Sequence, residues 1–437
     1  MADDTISPRP SVEQPLLEPF PHRDPGIHRD DSSHDAEPSP PRLMVGAAMF
    51  SFFILGLFQA SIGVILPHVQ ADYDLNDAQV SLIFVAGPVG YVIAAQLNHL
   101  VHVNLGQRGI AIIGPIFELI SAVITASHPS FAGLLLSFSI NCFGIGLIDG
   151  SWCAWAGAMK NPNLISGLLH GSFSAGAGLG PIIVSQLVAT GGKPWYFWYY
   201  TGVTLVETVI LPYAFRKESG HKYREEARRQ NRDAATAKSS HIFLYSAVWI
   251  CAAYLLVDVG TETAISGWIV SFMLRVRHAS VQLSGICSSC FWGGMAVGRL
   301  ALGGVTDRLG VKRGTILYLL STILLQLMFI LVENHALSAV LITLIGFFTG
   351  PLFPSSIVQL SNMLPRDLVV AAVSYVASVG QVGGAFLPFA IGALSQWLGL
   401  RVFGVMIAIQ LAVCLGLWMI LTRTRSKTTT QERERAD

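Results

Sequence analysis

From Leu43 onward the chain repeats one pattern, runs of about 20 or more apolar residues separated by short polar breaks. A helix rises 1.5 Å per residue, so roughly 20 residues cross a 30 Å hydrocarbon core. Twelve such runs are countable, at about 43–66, 81–100, 109–127, 131–157, 163–189, 195–215, 242–273, 280–303, 314–332, 336–360, 368–397 and 401–421. With 52% hydrophobic and only 13% charged residues, a chain of 437 residues has too little polar surface to cover a soluble body of that length. The expected fold class is an all-α membrane protein of twelve transmembrane helices.

Cytoplasmic loops retain Lys and Arg, so their placement sets the orientation. With the amino terminus inside, inside loops and tails hold 23 of the 28 basic residues. Outside loops hold four, Lys193, Arg275, Arg277 and Arg401, while Arg299 stands at the edge of a span. Both termini are therefore expected in the cytoplasm. The largest basic cluster falls in residues 216–240 and divides six spans from six. The expected organisation is a disordered cytoplasmic tail at 1–42, a six-helix half at 43–215, a cytoplasmic linker at 216–240, a second six-helix half at 241–421 and a tail at 422–437. The first tail holds nine of the 21 prolines, with four basic and nine acidic residues, a composition that cannot bury a core. It lacks the apolar region of a signal peptide, so the first span serves as insertion signal.

Several function classes fall away. A net charge of +1 with basic residues confined to loops and tails gives no phosphate-binding face, so no nucleic-acid partner is expected. The six cysteines, Cys142, Cys153, Cys251, Cys287, Cys290 and Cys414, lie in apolar runs and read as small core residues, not disulfides or metal ligands. Cys287 and Cys290 have metal-type spacing but no second Cys or His pair nearby. No P-loop appears, so ATP is not the expected energy source and no cofactor is called for. A membrane enzyme would need a nucleophile set near an interface, and one mid-span histidine does not supply it.

The two halves look related. Gly146 and Gly150 match Gly346 and Gly350 at an offset of 200, and GAGLGP ending at Pro181 matches GGAFLP ending at Pro388 at an offset of 207.

After the eighth span comes GRLALGGVTDRLGVKR, which fits G-R-x-x-x-G-x-x-x-D-R-x-G-x-x-R through Gly298, Arg299, Gly303, Asp307, Arg308, Gly310 and Arg313. It resembles the loop signature of the major facilitator superfamily, which recurs in both halves. Small glycines let helices approach closely, and Asp307 can face a helix amino terminus or an Arg and latch one conformation. The corresponding first-half loop, AAQLNHLVHVNLGQRG, keeps only Gly106 and Arg108. In the fourth span, Gly144, Gly146 and Asp149 match G-x-G-x-x-D/E and resemble the fucose-permease-like branch, while GTETAISGW and FFTGPLFPSS resemble its fungal members. The resemblance implies two pseudo-symmetric six-helix halves, a solute path between them and a fourth-span carboxylate linked to proton movement. Two departures stand out. Cys153 replaces the family's Asn four residues after the carboxylate, and Phe58 and Gln59 stand where relatives carry Asn-Asp.

Five carboxylates lie within apolar runs, Glu118, Asp149, Glu207, Asp258 and Glu262. An ionised carboxylate at the bilayer centre costs roughly 2.5 to 3.5 kcal/mol on insertion scales, and no Lys or Arg is placed mid-span by the sequence to offset it. Asp149 and Glu262, beside glycines on pathway spans, are the first candidates for proton coupling, with Asp258 and His170 after them. The resemblance puts spans 3, 6, 9 and 12 outside the pathway, so Glu118 and Glu207 read as inter-helix hydrogen bonders. Gln59, Trp155, Trp268 and Gln381 are the candidate solute-binding residues. The residues WYFWYY from Trp195 to Tyr200 read as an interfacial belt.

The expected function is secondary transport of a small organic solute by alternating access, coupled to protons, with export of an apolar metabolite the preferred direction. Proton-coupled sugar uptake and a transport-inactive sensor are the alternatives. The chain is expected to act as a monomer in the bilayer. EQPLLEP, Glu13 to Pro19, resembles an acidic dileucine sorting signal, and the cell membrane stands ahead of a vacuolar or endosomal one.

Overall fold

A backbone surrounded by hydrocarbon must satisfy its own N–H and C=O groups, and helices do so within one segment. The computed structural model describes residues 42–157, 159, 162–190, 195–222, 224–225 and 239–424, and every long element in it is a helix. The amino-terminal tail with its dileucine motif, most of the connection and the last residues lie outside the described ones. In order, the α-helices are α1 (Arg42–Asp72), α2 (Asp77–Val80), α3 (Leu82–Ala126), α4 (Phe131–Gly157), α5 (Pro162–Ala189), α6 (Trp195–Ala214), α7 (Ser246–Arg275), α8 (Val281–Leu309), α9 (Val311–Leu331), α10 (His335–Thr349), α11 (Leu352–Ser361), α12 (Arg366–Leu398) and α13 (Val402–Arg423).

Among the described residues nine helices are long and apolar enough to cross a bilayer, and one of them, Asp77–Ala126, has the length of two spans. α6 and the charge-bearing α8 complete twelve. α3 is two spans joined at Gly106, whose φ of 70° and ψ of −166° break the helix. No side chain would fit there, because a Cβ on Gly106 would run into the backbone of Glu218 and Ser219. The tenth span is likewise interrupted, between α10 and α11 at Gly350 and Pro351.

Local geometry shows that the halves repeat, and in a register the sequence reading missed. Asp74 and His278 both take positive φ in the turns after α1 and α7, Asn76 and Ser280 both cap the next helix, and Gly106 and Gly310 both take positive φ in the signature loops. Each pair is 204 residues apart. Gly90 lies against the Ser139 carbonyl, and Gly294 against the Thr343 carbonyl, again with both partners displaced by 204. Gly146 therefore corresponds to Gly350, not Gly346, and the offset of 200 was one helical turn short.

The same helix pairs pack in each half. α1 lies on α5 and α3 on α4 in the first, while α7 lies on α12 and α8 on α10 in the second. Glycine makes the approach possible, since apolar helices gain little from leaving lipid and must gain from close packing. Gly294 and its neighbour Gly293 separate packing from propensity. A Cβ on Gly294 would collide with the Thr343 carbonyl, whereas one on Gly293 would meet nothing within 4 Å. Gly294→Ala should cost about 1–3 kcal/mol through overpacking and lower the melting temperature in detergent, while Gly293→Ala should not lower it. Equal melting of the two variants would refute the packing assignment.

Candidate functional site

The halves meet at one face of the bundle, and a capping box positions the residue that joins them. Asn76 Oδ1 accepts from Gln79 N at 2.8 Å and Gln79 Oε1 accepts from Asn76 N at 2.9 Å. This starts α2 with Asp77 in its first turn. The Asp77 carboxylate is 3% exposed and forms a two-point ion pair with Arg275 at the end of α7, with Arg275 Nη2 donating to Oδ2 at 3.1 Å. Ser395 of α12 donates to Oδ2 at 2.9 Å, Gln70 of α1 donates to Oδ1 at 2.7 Å, and Asp77 N donates to Gln396 Oε1 at 3.2 Å. One carboxylate thus ties α1 and α2 to α7 and α12. Around it Gly63 packs on the Ser266 backbone, Phe84 on Gly267 and Trp268, Ser81 on Gly392 and Ser185 on Gly285. Asp77 carries no motif that marks it, and Arg275 reads from sequence as one of the outside-loop charges. The Asn76–Gln79 spacing was visible, but the partner across the seam was not.

Away from that face α4 makes no extensive contact with the second half among the described residues. The proton-coupling candidates lie in this region. Asp149 of α4 is half-buried and its Oδ2 accepts from Tyr91 at 2.7 Å, while the Cys153 thiol donates toward Oδ1 at 3.6 Å. His170 of α5 is exposed, stands edge-on to Phe52 at 5.7 Å, and lies within electrostatic range of both Asp149 and Arg299. In the second half, Glu262 Oε1 stands 3.5 Å from Arg299 Nη2, and Asp258 lies near both. His170 is thus within electrostatic range of Asp149 in its own half and of Arg299 in the other, where Arg299 stands with Glu262 and Asp258.

Arg299 corrects the sequence reading twice. It lies well inside α8, which continues to Leu309, and its Nε donates to the Gly350 carbonyl at 3.3 Å. It is the countercharge to Glu262 and not part of a loop latch, so the acids are not all without a cation. Of the other signature residues, Gly298 packs against the Phe347 backbone, Gly310 supplies the positive φ, and Arg308 and Arg313 are exposed. Nothing lies within 4 Å of a Cβ built on Gly303, and the Asp307 side chain is not among those described.

The solute-binding candidates divide. Gln59 is half-buried on the same face of α1 as Gly56 and Gly63, and Gln381 is exposed on the same face of α12 as Gly392. Trp155 is only 7% exposed and packs with Trp152 and Phe215 inside the first half. Trp268 is fully buried, and its Nε1 donates to the Pro388 carbonyl at 2.8 Å. Both tryptophans are packing residues in this structure, because indoles with such enclosed faces have none left for a solute. The six cysteines are free thiols, and no cluster of three or more His, Cys, Asp or Glu able to hold a metal occurs among the described residues.

Comparison with known proteins fits this architecture. The model of the family described as Major Facilitator Superfamily matches residues 48–285 and 250–437. The chain is 25% identical over 413 residues to the Saccharomyces cerevisiae protein named Bypass of stop codon protein 6, covering 87% of this chain and 82% of that one. Its fold is similar to the crystal structure of the nucleoside transporter NupG, with a TM-score of 0.69, 12% identity and coverage of 88% of this chain and 99% of that one. The crystal structure of the D-xylose-proton symporter gives 0.68, 12%, 86% and 97% in the same terms. With twelve membrane spans in two halves among the described residues, the chain belongs to the Major Facilitator Superfamily and is a multi-pass membrane transporter.

Proposed function

We propose that this transporter moves a small organic solute by alternating access and couples the movement to protons, with export as its direction. The observation that carries the coupling is the charge set across the seam. Asp149, Asp258 and Glu262 supply three carboxylates, and Arg299 supplies one cation. A single guanidinium neutralises one acid, so the others require protons or a charged cargo in a weakly polar surrounding. His170 lies between the halves electrostatically and can pass a proton or release Arg299. Gln59 and Gln381 supply hydrogen bonds to the solute from opposite halves.

Export rests on the absence of the family's Asn, since Cys153 offers a weak thiol donor where a sugar hydroxyl would meet an amide. Proton-coupled sugar uptake is the second reading, and the two glutamines together with the fold of a D-xylose-proton symporter favour it. Labelled-sugar accumulation in transporter-deficient cells expressing the protein would decide for uptake.

Asp149→Asn should reduce pH-dependent solute flux at least tenfold while leaving the protein in the membrane, because it removes the titratable oxygen and keeps the Tyr91 contact. Flux with an unchanged pH profile would remove Asp149 from the mechanism. Breaking a buried pair costs more than deleting it, roughly 3–5 kcal/mol for a fully buried one; the 27% and 19% exposure of Arg299 and Glu262 reduces that figure. Arg299→Gln alone should therefore lower expression and melting temperature more than the double variant Arg299→Gln with Glu262→Gln. A double variant less stable than the single would show that the pair is not what Arg299 satisfies.

Alternating access requires the seam at Asp77 to open. Asp77→Asn weakens the Arg275 pair while keeping size and some hydrogen bonding. In a background without native cysteines, Ser185→Cys should then react several-fold faster with a membrane-impermeant thiol reagent added from the Asp77 face. No change in rate would show that the ion pair does not hold this face shut.

A further inference from the structure

A second set of acids lies within the first half, apart from the seam. Glu118 of α3 and Glu207 of α6 face each other, with Tyr200 of α6, Asn141 of α4 and Ser51 of α1 around them. All five are nearly closed to solvent, at 2%, 0%, 6%, 0% and 2% exposed respectively. They are close together, yet Glu207 Oε1 and Oε2, Asn141 Oδ1 and Nδ2, Tyr200 Oη and Ser51 Oγ close no hydrogen bond of proper geometry. Buried polar atoms seldom stay unsatisfied, so a cluster of them calls for something that completes their bonds. Two carboxylates side by side in hydrocarbon also need positive charge. Neither forms an ion pair with Lys, Arg or His among the described residues.

The repeat shows that the scaffold does not require these acids. Their counterparts 204 residues on are Thr322 and Leu411, both buried, in the same helices of the second half. A merely structural need would apply to both copies.

Buried hydroxyls lie between the acids and the face that Asp77 closes. Thr125 and Ser121 lie two turns and one turn from Glu118 along α3, and Ser137 lies one turn from Asn141 along α4. Their hydroxyls form a chain, with Thr125 Oγ1 to Ser137 Oγ at 2.5 Å and Ser137 Oγ to Ser121 Oγ at 3.0 Å. A small cavity with room for water lies beside them, lined by the hydroxyls of Ser61, Ser121, Thr125, Tyr199 and Tyr200 together with apolar Phe58, Ile65, Ala122 and Val184.

We propose that Glu118 and Glu207, one of the two carboxyls being neutral as the acid, bind one monovalent cation, a proton carried with water or a sodium ion, at a site inside the first half that is separate from the seam between the halves. Hard oxygen donors from four helices suit such an ion. The titratable groups that face the pair are Tyr200 and Cys142, from α6 and α4, with Tyr199 beside Tyr200. The site does not depend on the coupling assigned to Asp149.

The test uses the purified full chain in detergent. Its melting temperature is measured with sodium chloride replacing choline chloride at fixed pH, and then across pH in choline alone, together with the infrared band of protonated carboxyls. A saturable rise of about 3 °C or more with sodium, lost in Glu118→Gln and Glu207→Gln, identifies sodium as occupant. No response to sodium, with a pH-dependent melting shift and a carboxyl band that both variants lose, identifies the proton. Wild type and both variants responding alike to sodium and to pH overturns the site. Asn141→Leu, which keeps both acids, covers the case in which a glutamine variant does not fold, and it should weaken the same response several-fold.

Discussion

An apolar helix in lipid gains nothing by exchanging lipid for another apolar helix, so the architecture depends on contacts closer than lipid can make. Glycine against a neighbouring backbone carbonyl is that contact here. Gly56 and Gly176 bring α1 and α5 together, Gly90 brings α3 to α4, and Gly260 with Gly383 and Gly294 with Thr343 do the same in the second half. Between the halves the same kind of contact recurs, with Gly63 against the Ser266 carbonyl and α5 lying along α8, and a hydrogen-bonded ion pair at Asp77 is added to it. Packing by backbone contact resists being undone, whereas an ion pair with Arg275 41% exposed can exchange its partners for water. The ion pair is thus the part of the closed face whose bonds water can replace.

The buried charges follow the same division. Asp77 is satisfied several times over, which suits a contact that holds one state. Asp149 accepts from a tyrosine and faces no cation directly, and Glu262 meets Arg299 at 3.5 Å, longer than a tight charge-assisted bond. Incomplete satisfaction leaves these groups free to change partners when the halves move. The contrast between the closed face and the middle of the bundle is one of bond count.

The fold was legible because hydrocarbon imposes a length and a composition that show in any single sequence. All twelve spans begin and end within two turns of the apolar runs; α1 and α8 each end six residues past theirs, α1 because His68, Gln70 and Asp72 continue its helix past the apolar stretch. The register of the repeat was not legible from glycine pairs, since glycine recurs every helical turn on these faces and Gly346 sits four residues from Gly350. Backbone angles at Gly106 and Gly310 resolve it. Trp155 and Trp268 were misplaced because composition says that a pathway needs aromatic faces and cannot say which indole is enclosed. Arg299 was read with its loop motif, yet α8 continues ten residues beyond it and carries it into the bundle.

Duplication supplies a symmetric scaffold, and the ionisable groups depart from it. At the 204-residue offset the counterpart of Asp149 is Phe353, that of Arg299 is Ala95, those of Glu262 and Asp258 are Phe58 and Ile54, and those of Asp77 and Arg275 are Val281 and Ala71. No charged group of the seam has a charged copy. Were the charges as symmetric as the glycines, each half would carry acid and base alike and could satisfy itself, so nothing would be gained by bringing the halves together. Because the acid and the base of the closed face stand on different copies, their bond exists only when that face is shut, and its energy is tied to the conformation instead of to the fold. The same reasoning applies at mid-bundle. There Asp149 and His170 belong to one copy and Arg299 and Glu262 to the other, so any proton that changes their charge acts on the distance between the halves.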